Sequence, residues 1–552
     1  MHRLFPLLLT TLLALGLPIH GFASEAPARR VTVLAVNDIY RIDGVDEGAS
    51  GGIARIRSLR RELEREDPSL LVLHAGDLLF PSMLSRRYNG AQMIDMLNRL
   101  DGDADAFDER LFVVFGNHEF EKSKAEQAPI LAARVDESRF TWVNSNVQFV
   151  TGGEDEPVVY APHLQRDVLV DVNGVKVGLF GLTTDVLVPE YVSAIDDPVA
   201  VAEERSASLR ARGAELVIGL THLDMATDRQ LLEQLGERGP DIIFGGHEHF
   251  RQSAEVDGRL VVKADADART ATVARIDVPA SGRPAVTFEF RHLDETIRPD
   301  AETQASTRQW MSRFQQEFCA EQKDAPNCLT QPLGRTAVKL VGEELQIRSI
   351  ETNLGNWVAD QALEAFRDQG AQIALINSGS LRLNQDLLAG SEIARAHLAE
   401  LFAFPSPLFM IRISGETLHQ VLRKSIDGWP GHGRWLQVAG LAFVHDSVEG
   451  RVDDLTLLGP EGPRAITPDE ELLVVTSGFL LDPSIGDQDG YRMLNRTQIV
   501  DTQAAAPDLV NLVVTALVAA NEAGIDPAVE GRICNRNAAT EAPCLAIQQS
   551  ER

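Results

Sequence analysis

Four cysteines are all that the 552 residues contain: Cys319, Cys328, Cys534 and Cys544. None forms a tight C-x-x-C pair and no His lies close by, which argues against a cysteine-built zinc site. An even count in a chain that opens like an exported protein points to disulfides. Three pairings are open to four cysteines, and the two local ones, Cys319–Cys328 and Cys534–Cys544, are expected. Basic residues are also scarce. Lys and Arg number 52 against 81 Asp and Glu, a formal net charge of −29. Such acidity argues against a nucleic-acid partner, because phosphate backbones are held by clustered Lys and Arg. A small phosphate ester stays open as a substrate, since bound divalent cations reverse the local field. After the N-terminus no apolar run is long enough to span a bilayer. Internal repeats and low-complexity tracts are absent as well.

What is present begins with Met1-His2-Arg3, an apolar run from Leu4 to Leu17 and the small residues Gly21 to Ser24. This pattern is a secretory signal peptide, cut after Ala23. It predicts a secreted protein of a bacterial periplasm with no stable membrane anchor. The remaining length exceeds what one hydrophobic core serves, so two or more domains are expected. Short apolar strands alternate with amphipathic helical stretches, an α/β pattern. Val31–Val36, Ser69–Leu73, Leu111–Phe115, Val175–Phe180, Leu216–Leu220 and Asp241–Phe244 read as buried strands. Five of them run straight into polar clusters: Asn37-Asp38, Gly76-Asp77, Gly116-Asn117-His118-Glu119, Thr221-His222 and Gly245-Gly246-His247-Glu248-His249. Ligands bind at the carboxyl ends of strands in open α/β sheets, so these clusters are expected to meet. Mixed carboxylate, imidazole and amide donors suit Mn, Zn, Fe or Co better than Mg or Ca.

These five clusters, in this order, resemble the signatures of the calcineurin-like metallophosphoesterases. The resemblance implies a β-sandwich flanked by helices that holds two divalent transition-metal ions. Asp77 would bridge them, Asp38 and His249 would serve one ion, and Asn117, His222 and His247 the other. His118 matches the catalytic His that contacts the phosphoryl group, and the chemistry would be in-line attack on phosphorus by a metal-activated water. Two positions depart from the family. Tyr40 stands where a metal-binding His is usual, and is a candidate ligand or a neighbouring donor. Glu121 stands where an Asp often orients the catalytic imidazole.

The second half resembles the substrate domain of secreted 5′-nucleotidases and UDP-sugar hydrolases, through Glu351-Thr352-Asn353-Leu354-Gly355-Asn356, Asn377-Ser378-Gly379-Ser380-Leu381-Arg382, Gly433–Gly440 and Asp489-Gly490-Tyr491. The resemblance implies that Phe404 and Phe479 clamp a base, Arg348 and Arg382 hold the phosphate and ribose side, Asn377 contacts the base and Asp489 the ribose. An insertion at Pro483-Ser484-Ile485 and two serines in the Asn377 loop reshape that pocket. The implied organisation is a signal peptide (1–23), a metallophosphoesterase domain (24–295), a linker helix and disulfide loop (296–332), an α/β substrate-binding domain (333–536) and a tail (537–552). The helical stretch 301–322 is expected to carry any hinge motion between the domains. The expected activity is hydrolysis of nucleoside 5′-phosphates or nucleotide sugars. Two alternatives share the fold: a sulfate thiohydrolase-like dimanganese enzyme of sulfur oxidation, and a catalytically weakened nucleotide-binding protein.

Overall fold

The computed structural model describes residues 29–153, 156–321, 325–482, 491–500, 506–538 and 542–547. The expected signal peptide, the 483–485 insertion and Asp489 lie outside these residues. Thirteen strands build the two sheets of the first body: β1 (Arg29–Val36), β2 (Leu71–His74), β3 (Asp108–Val113), β4 (Phe140–Val143), β5 (Leu164–Gln165), β6 (Asp167–Val172), β7 (Val175–Thr183), β8 (Leu216–His222), β9 (Ile242–Gly245), β10 (Gln252–Val256), β11 (Arg259–Lys263), β12 (Thr270–Val278) and β13 (Ala285–His292). One sheet has the order β13-β12-β1-β2-β3-β4-β5 and the other β10-β11-β9-β8-β7-β6. From β1 to β5 the neighbours are parallel, as are β7, β8, β9 and β11.

Side chains alternate across each strand, and here both faces are covered. Val31, Val33 and Ala35 of β1 meet Leu179, Ile218 and Leu220 of the opposite sheet between the two layers. Leu34 and Val36 point the other way, into a cluster with Ile53, Ile56, Leu59 and Leu63 of the helix Ile53–Glu66. Double coverage is why these strands read as continuous apolar runs. The Asn, Asp and His clusters begin where β1, β2, β3, β8 and β9 end, which places them at one edge of the sandwich.

The second body carries a four-stranded sheet in the order Leu408–Ser414, Glu471–Ser477, Ile373–Asn377 and Leu436–Ala439, with the helix Asn353–Glu364 packed on it. A second four-stranded sheet includes the strand Ile533–Asn535. Both local disulfides are formed, Cys319–Cys328 and Cys534–Cys544. Between the bodies runs the helix Ala301–Glu321. Its Phe314 joins the apolar cluster of the first body, with Trp310, Met311 and Phe318 packed against it. Arg87 of the first body pairs with Glu317 and Glu321 at 2.8 Å each. No helix among the described residues is long and apolar enough to cross a membrane.

At the end of β11 lies Lys263, fully buried. Its Nζ donates to the Leu223 carbonyl and to Glu248 Oε2, both at 2.6 Å, and lies 3.0 Å from Asp228 Oδ2. Burial raises the Asp228 carboxyl to about 6 although Lys263 opposes it. Removing one member of a buried ion cluster strands the others, at a cost of about 3–5 kcal/mol. Lys263→Met is therefore expected to lower stability in urea unfolding by about that amount at pH 8. The deficit should shrink towards pH 5, because an acid whose pKa is raised on folding recovers stability as it takes up its proton. An unchanged unfolding midpoint at pH 8 would contradict this account.

Candidate active site

Asp38 follows β1, Asp77 follows β2, Asn117 follows β3, His222 ends β8, and His247 and His249 follow β9. The structure brings all six together. The Oδ and Nε donors of Asp38, Asp77 and His249 lie within 4.8 Å of one another, a grouping able to hold a metal ion. The Tyr40 hydroxyl sits among them, 3.1 Å from Asp77 Oδ2, 3.3 Å from Asp38 Oδ1 and 2.8 Å from His249 Nε2. A second subset adjoins it. His222 Nε2 is 3.1 Å from Asp77 Oδ2, and His247 Nδ1 is 3.1 Å from Asn117 Oδ1. Asp77 thus touches both subsets.

The backbone is strained where these groups are presented. Asp38, Asp77 and His247 have φ of 51°, 56° and 85°, a region that L side chains seldom adopt. Hydrogen bonds hold them there: Asp38 N–H donates to the Gly76 carbonyl and His247 N–H to Asp38 Oδ2, both at 3.0 Å. Gly76, Gly116 and Gly246 allow the loops to close. A Cβ on Gly116 would lie 2.1 Å from Asp77 Oδ1, and one on Gly246 would lie 2.4 Å from the Ala75 carbonyl oxygen.

Burial would neutralise these groups singly, but together they charge one another. Burial pulls His222 down, yet the Asp77 and Asp38 carboxylates outweigh it and push the imidazole up to about 10. Burial likewise opposes the charge on His249, which Glu344 and Asp38 raise to about 9. Burial raises Asp77, and the imidazoles of His222 and His118 more than reverse that, holding it below the usual carboxylate range. His247 is lowered to about 4 by burial, with His222 adding to the effect. For Tyr40, burial and then Asp77 and Asp38 push the phenol well above its ordinary value. It is a neutral donor in this structure.

His118 stands to one side of this centre. Its Nδ1 lies 2.6 Å from Glu121 Oε1, so the longer Glu reaches the ring. Its Nε2 then faces the centre, 3.9 Å from Asp77 Oδ2.

The second body approaches this centre with Glu344, Arg382 and Asn384. They line a cleft together with Tyr40, Arg41 and Asp267. Asn384 Nδ2 donates to Asp267 Oδ2 at 2.9 Å, while Asp267 Oδ1 accepts from the Tyr40 and Arg41 amides. Arg348 pairs with Glu344. The Arg382 guanidinium lies over the Phe404 ring, 5.4 Å from its centre. Asn377 ends its strand with Oδ1 buried and unpartnered. Phe479 is 42% exposed and makes no ring contact with Phe404 among the described residues. Asp489 falls outside those residues.

Sequence reasoning missed Glu119. This carboxylate is 1% exposed and accepts from four backbone amides: Asp77 at 3.0 Å, Leu78 at 2.8 Å, Leu79 at 2.9 Å and Gly116 at 2.5 Å. It ties the loop after β2 to the loop after β3. The only signal was its place beside His118, where the motif itself drew attention elsewhere. Glu119→Gln puts an amide NH2 among donors, and partners of this kind typically cost 10–100-fold in metal affinity when lost. The expected outcome is at least a tenfold loss of divalent-metal affinity by chelator competition, with far-UV dichroism unchanged. Wild-type affinity would show that the four bonds do not hold the loops.

Comparison with known proteins agrees with this geometry. Residues 31–251 match the family model of calcineurin-like phosphoesterases, and residues 332–496 match that of the 5′-nucleotidase C-terminal domain. The trifunctional nucleotide phosphoesterase protein YfkN of Bacillus subtilis is 26% identical over 491 residues, covering 82% of this chain and 32% of that protein. This chain therefore spans about a third of that relative's length. The 5′-nucleotidase of Rattus norvegicus is 24% identical, covering 92% of this chain and 91% of the rat protein. Among solved structures, a 5′-nucleotidase precursor from Thermus thermophilus superposes with a TM-score of 0.75 at 24% identity, covering 92% of this chain and all of that one. A Thermus thermophilus sulfate thiohydrolase shares the fold with a TM-score of 0.69 at 16% identity, covering 93% of this chain and 98% of that one. With the two family models matched in tandem over these two bodies, the chain belongs to the 5′-nucleotidase family of calcineurin-like phosphoesterases, which are metal-dependent phosphoric ester hydrolases.

Proposed function

We propose that this chain is an exported, periplasmic phosphoesterase that hydrolyses nucleoside 5′-phosphates or nucleotide sugars with two divalent transition-metal ions. The observation that carries the reading is the convergence of donors from five strand ends on Asp77, beside a cleft that the second body's Arg382 also lines. The donor chemistry fits a metal pair. His222 Nε2 is buried and has no aligned hydrogen bond, although its Nδ1 is fixed on the Ala75 carbonyl at 2.7 Å. Asp38 and His249 would hold one ion, Asn117, His222 and His247 the other, and Asp77 both. Tyr40 would lie beside the first ion as a donor. When bound, the ions supply a nucleophile at neutral pH and neutralise charge on the phosphoryl oxygens.

The chain's own groups do the rest. Glu121 fixes the His118 ring, so that Nε2 can donate to a phosphoryl or leaving oxygen. Arg382 and Arg348 would grip the phosphate and ribose side. A base would stack on Phe404 with Phe479 opposite, Asn377 on its edge and Asp489 on the ribose. Stacking on the Phe404 face that the Arg382 guanidinium covers would require the guanidinium to turn away towards the phosphate. That one obstacle favours a second reading, a sulfate thiohydrolase-like activity, in which no base needs the ring.

Phosphate release from AMP and UDP-glucose, measured with Mn, Zn and Co, tests the first reading. Turnover of at least one nucleotide is expected, and His118→Ala should lower kcat by about 10²–10⁴-fold with metal content unchanged. Failure with every nucleotide and every metal would overturn it, and activity on a sulfur-conjugated carrier protein alone would establish the second. A further outcome follows from the imidazoles raised to about 10 and 9. Both are protonated at pH 7 in the metal-free protein and must deprotonate to bind metal. Calorimetric titration of Mn at pH 7 should release about one to two protons, read as a dependence of the apparent enthalpy on buffer ionisation. An enthalpy independent of buffer would contradict the assignment of His222 and His249.

A further inference from the structure

We propose that Glu344 is a positioning residue through which the second body completes the surroundings of the metal centre, so that docking of that body and metal affinity are coupled. The inference rests on the metal-centre reading above and adds to it a residue from the other half of the chain.

Glu344 opens the short helix Glu344–Ile347 of the second body and is 6% exposed. Its Oε2 lies 2.8 Å from His249 Nδ1, a close but poorly aligned contact, and its Oε1 pairs with Arg348. The other nitrogen of His249 faces the centre, 2.8 Å from the Tyr40 hydroxyl and 3.4 Å from Asp38 Oδ1. The imidazoles around the centre are steadied differently. His222 leans on the Ala75 carbonyl and His118 on Glu121, both within the first body. His249 leans on a carboxylate that arrives across the domain boundary.

A carboxylate behind a ligating imidazole fixes the ring and strengthens it as a donor. The seam keeps Glu344 in register. Asn384 bonds Asp267 at 2.9 Å, Arg41 pairs with Glu400 at 2.9 Å, and Arg86 reaches the Ala399 carbonyl at 3.3 Å. Withdrawal of the second body would remove the support of His249 while leaving that of His222 intact. The coupling is reciprocal: if docking tightens one ion, that ion must favour docking.

The test uses full-length protein with Mn, titrated by calorimetry and chelator competition, with X-ray scattering recorded at each metal concentration. Glu344→Ala should weaken one of two binding steps by about tenfold and leave the other near wild type. It should also abolish the metal-dependent compaction expected in scattering. Glu344→Asp should recover part of both effects, which a purely structural role would not require. His249→Ala identifies the affected step. Asn384→Ala, which loosens the seam without touching His249, should move affinity in the same direction and keeps the idea testable if Glu344→Ala folds poorly. Wild-type affinity and scattering in Glu344→Ala, with two ions bound, would overturn the coupling alone. A wild-type protein that binds no transition metal would instead overturn the metal-centre reading, and this inference with it.

Discussion

Asp38 and Asp77 are both buried and each lies within reach of the same phenol hydroxyl. Two carboxylates confined in this way repel each other and lose their hydration, so the surrounding structure has to offset them. Imidazoles charged by the pair supply part of the answer, and backbone amides supply more, with His118 N–H on Asp77 at 2.8 Å and His247 N–H on Asp38 at 3.0 Å. The strained loop conformations persist because Glu119 and the close-packed glycines leave them no other arrangement. A divalent ion would take over the charge balance that protons now maintain.

The architecture of the first body was open to reading because its physics is local. Strands covered on both faces are mostly apolar, so the change to Asn, Asp and His at their ends marks the site directly. β1 and β8 begin and end within two residues of the expected strands. What escaped depends on tertiary approach. Nothing in the sequence around Glu119 says that it will meet four amides from two loops. Nothing around Asp267 or Glu344 says that they will face each other's domains. Tyr40 could be singled out as a departure, but its position among three candidate ligands needed the folded loops. A base clamp is hard to read locally for a related reason: Phe404 and Phe479 lie in segments whose relation is set by residues far away in the chain.

The protein as a whole is strongly acidic, and the cleft between its bodies sets Arg41 and Arg382 among the carboxylates of Asp267, Glu344 and Glu400 beside the candidate metal ligands. Arg41 is engaged by Glu400, whose carboxyl is raised to about 7, first by burial and despite Arg41 itself. The two arginines of the cleft are matched by the carboxylates of Asp267, Glu344 and Glu400, so attraction of a phosphate there would depend on bound cations.

The helix Ala301–Glu321 has a mechanical consequence of its own. Trp310 Nε1 donates to Asp95 at 2.8 Å, Glu317 and Glu321 hold Arg87, and the Cys319–Cys328 bridge folds the following turn back onto the helix end. Cys328 and Leu329 are buried in the same apolar cluster. These contacts fasten the helix to the first body like a fixed arm. A swivel of the other half about the segment after Leu329, where the chain enters the strand Pro332–Arg335, would leave these contacts intact, whereas one within the helix would break them.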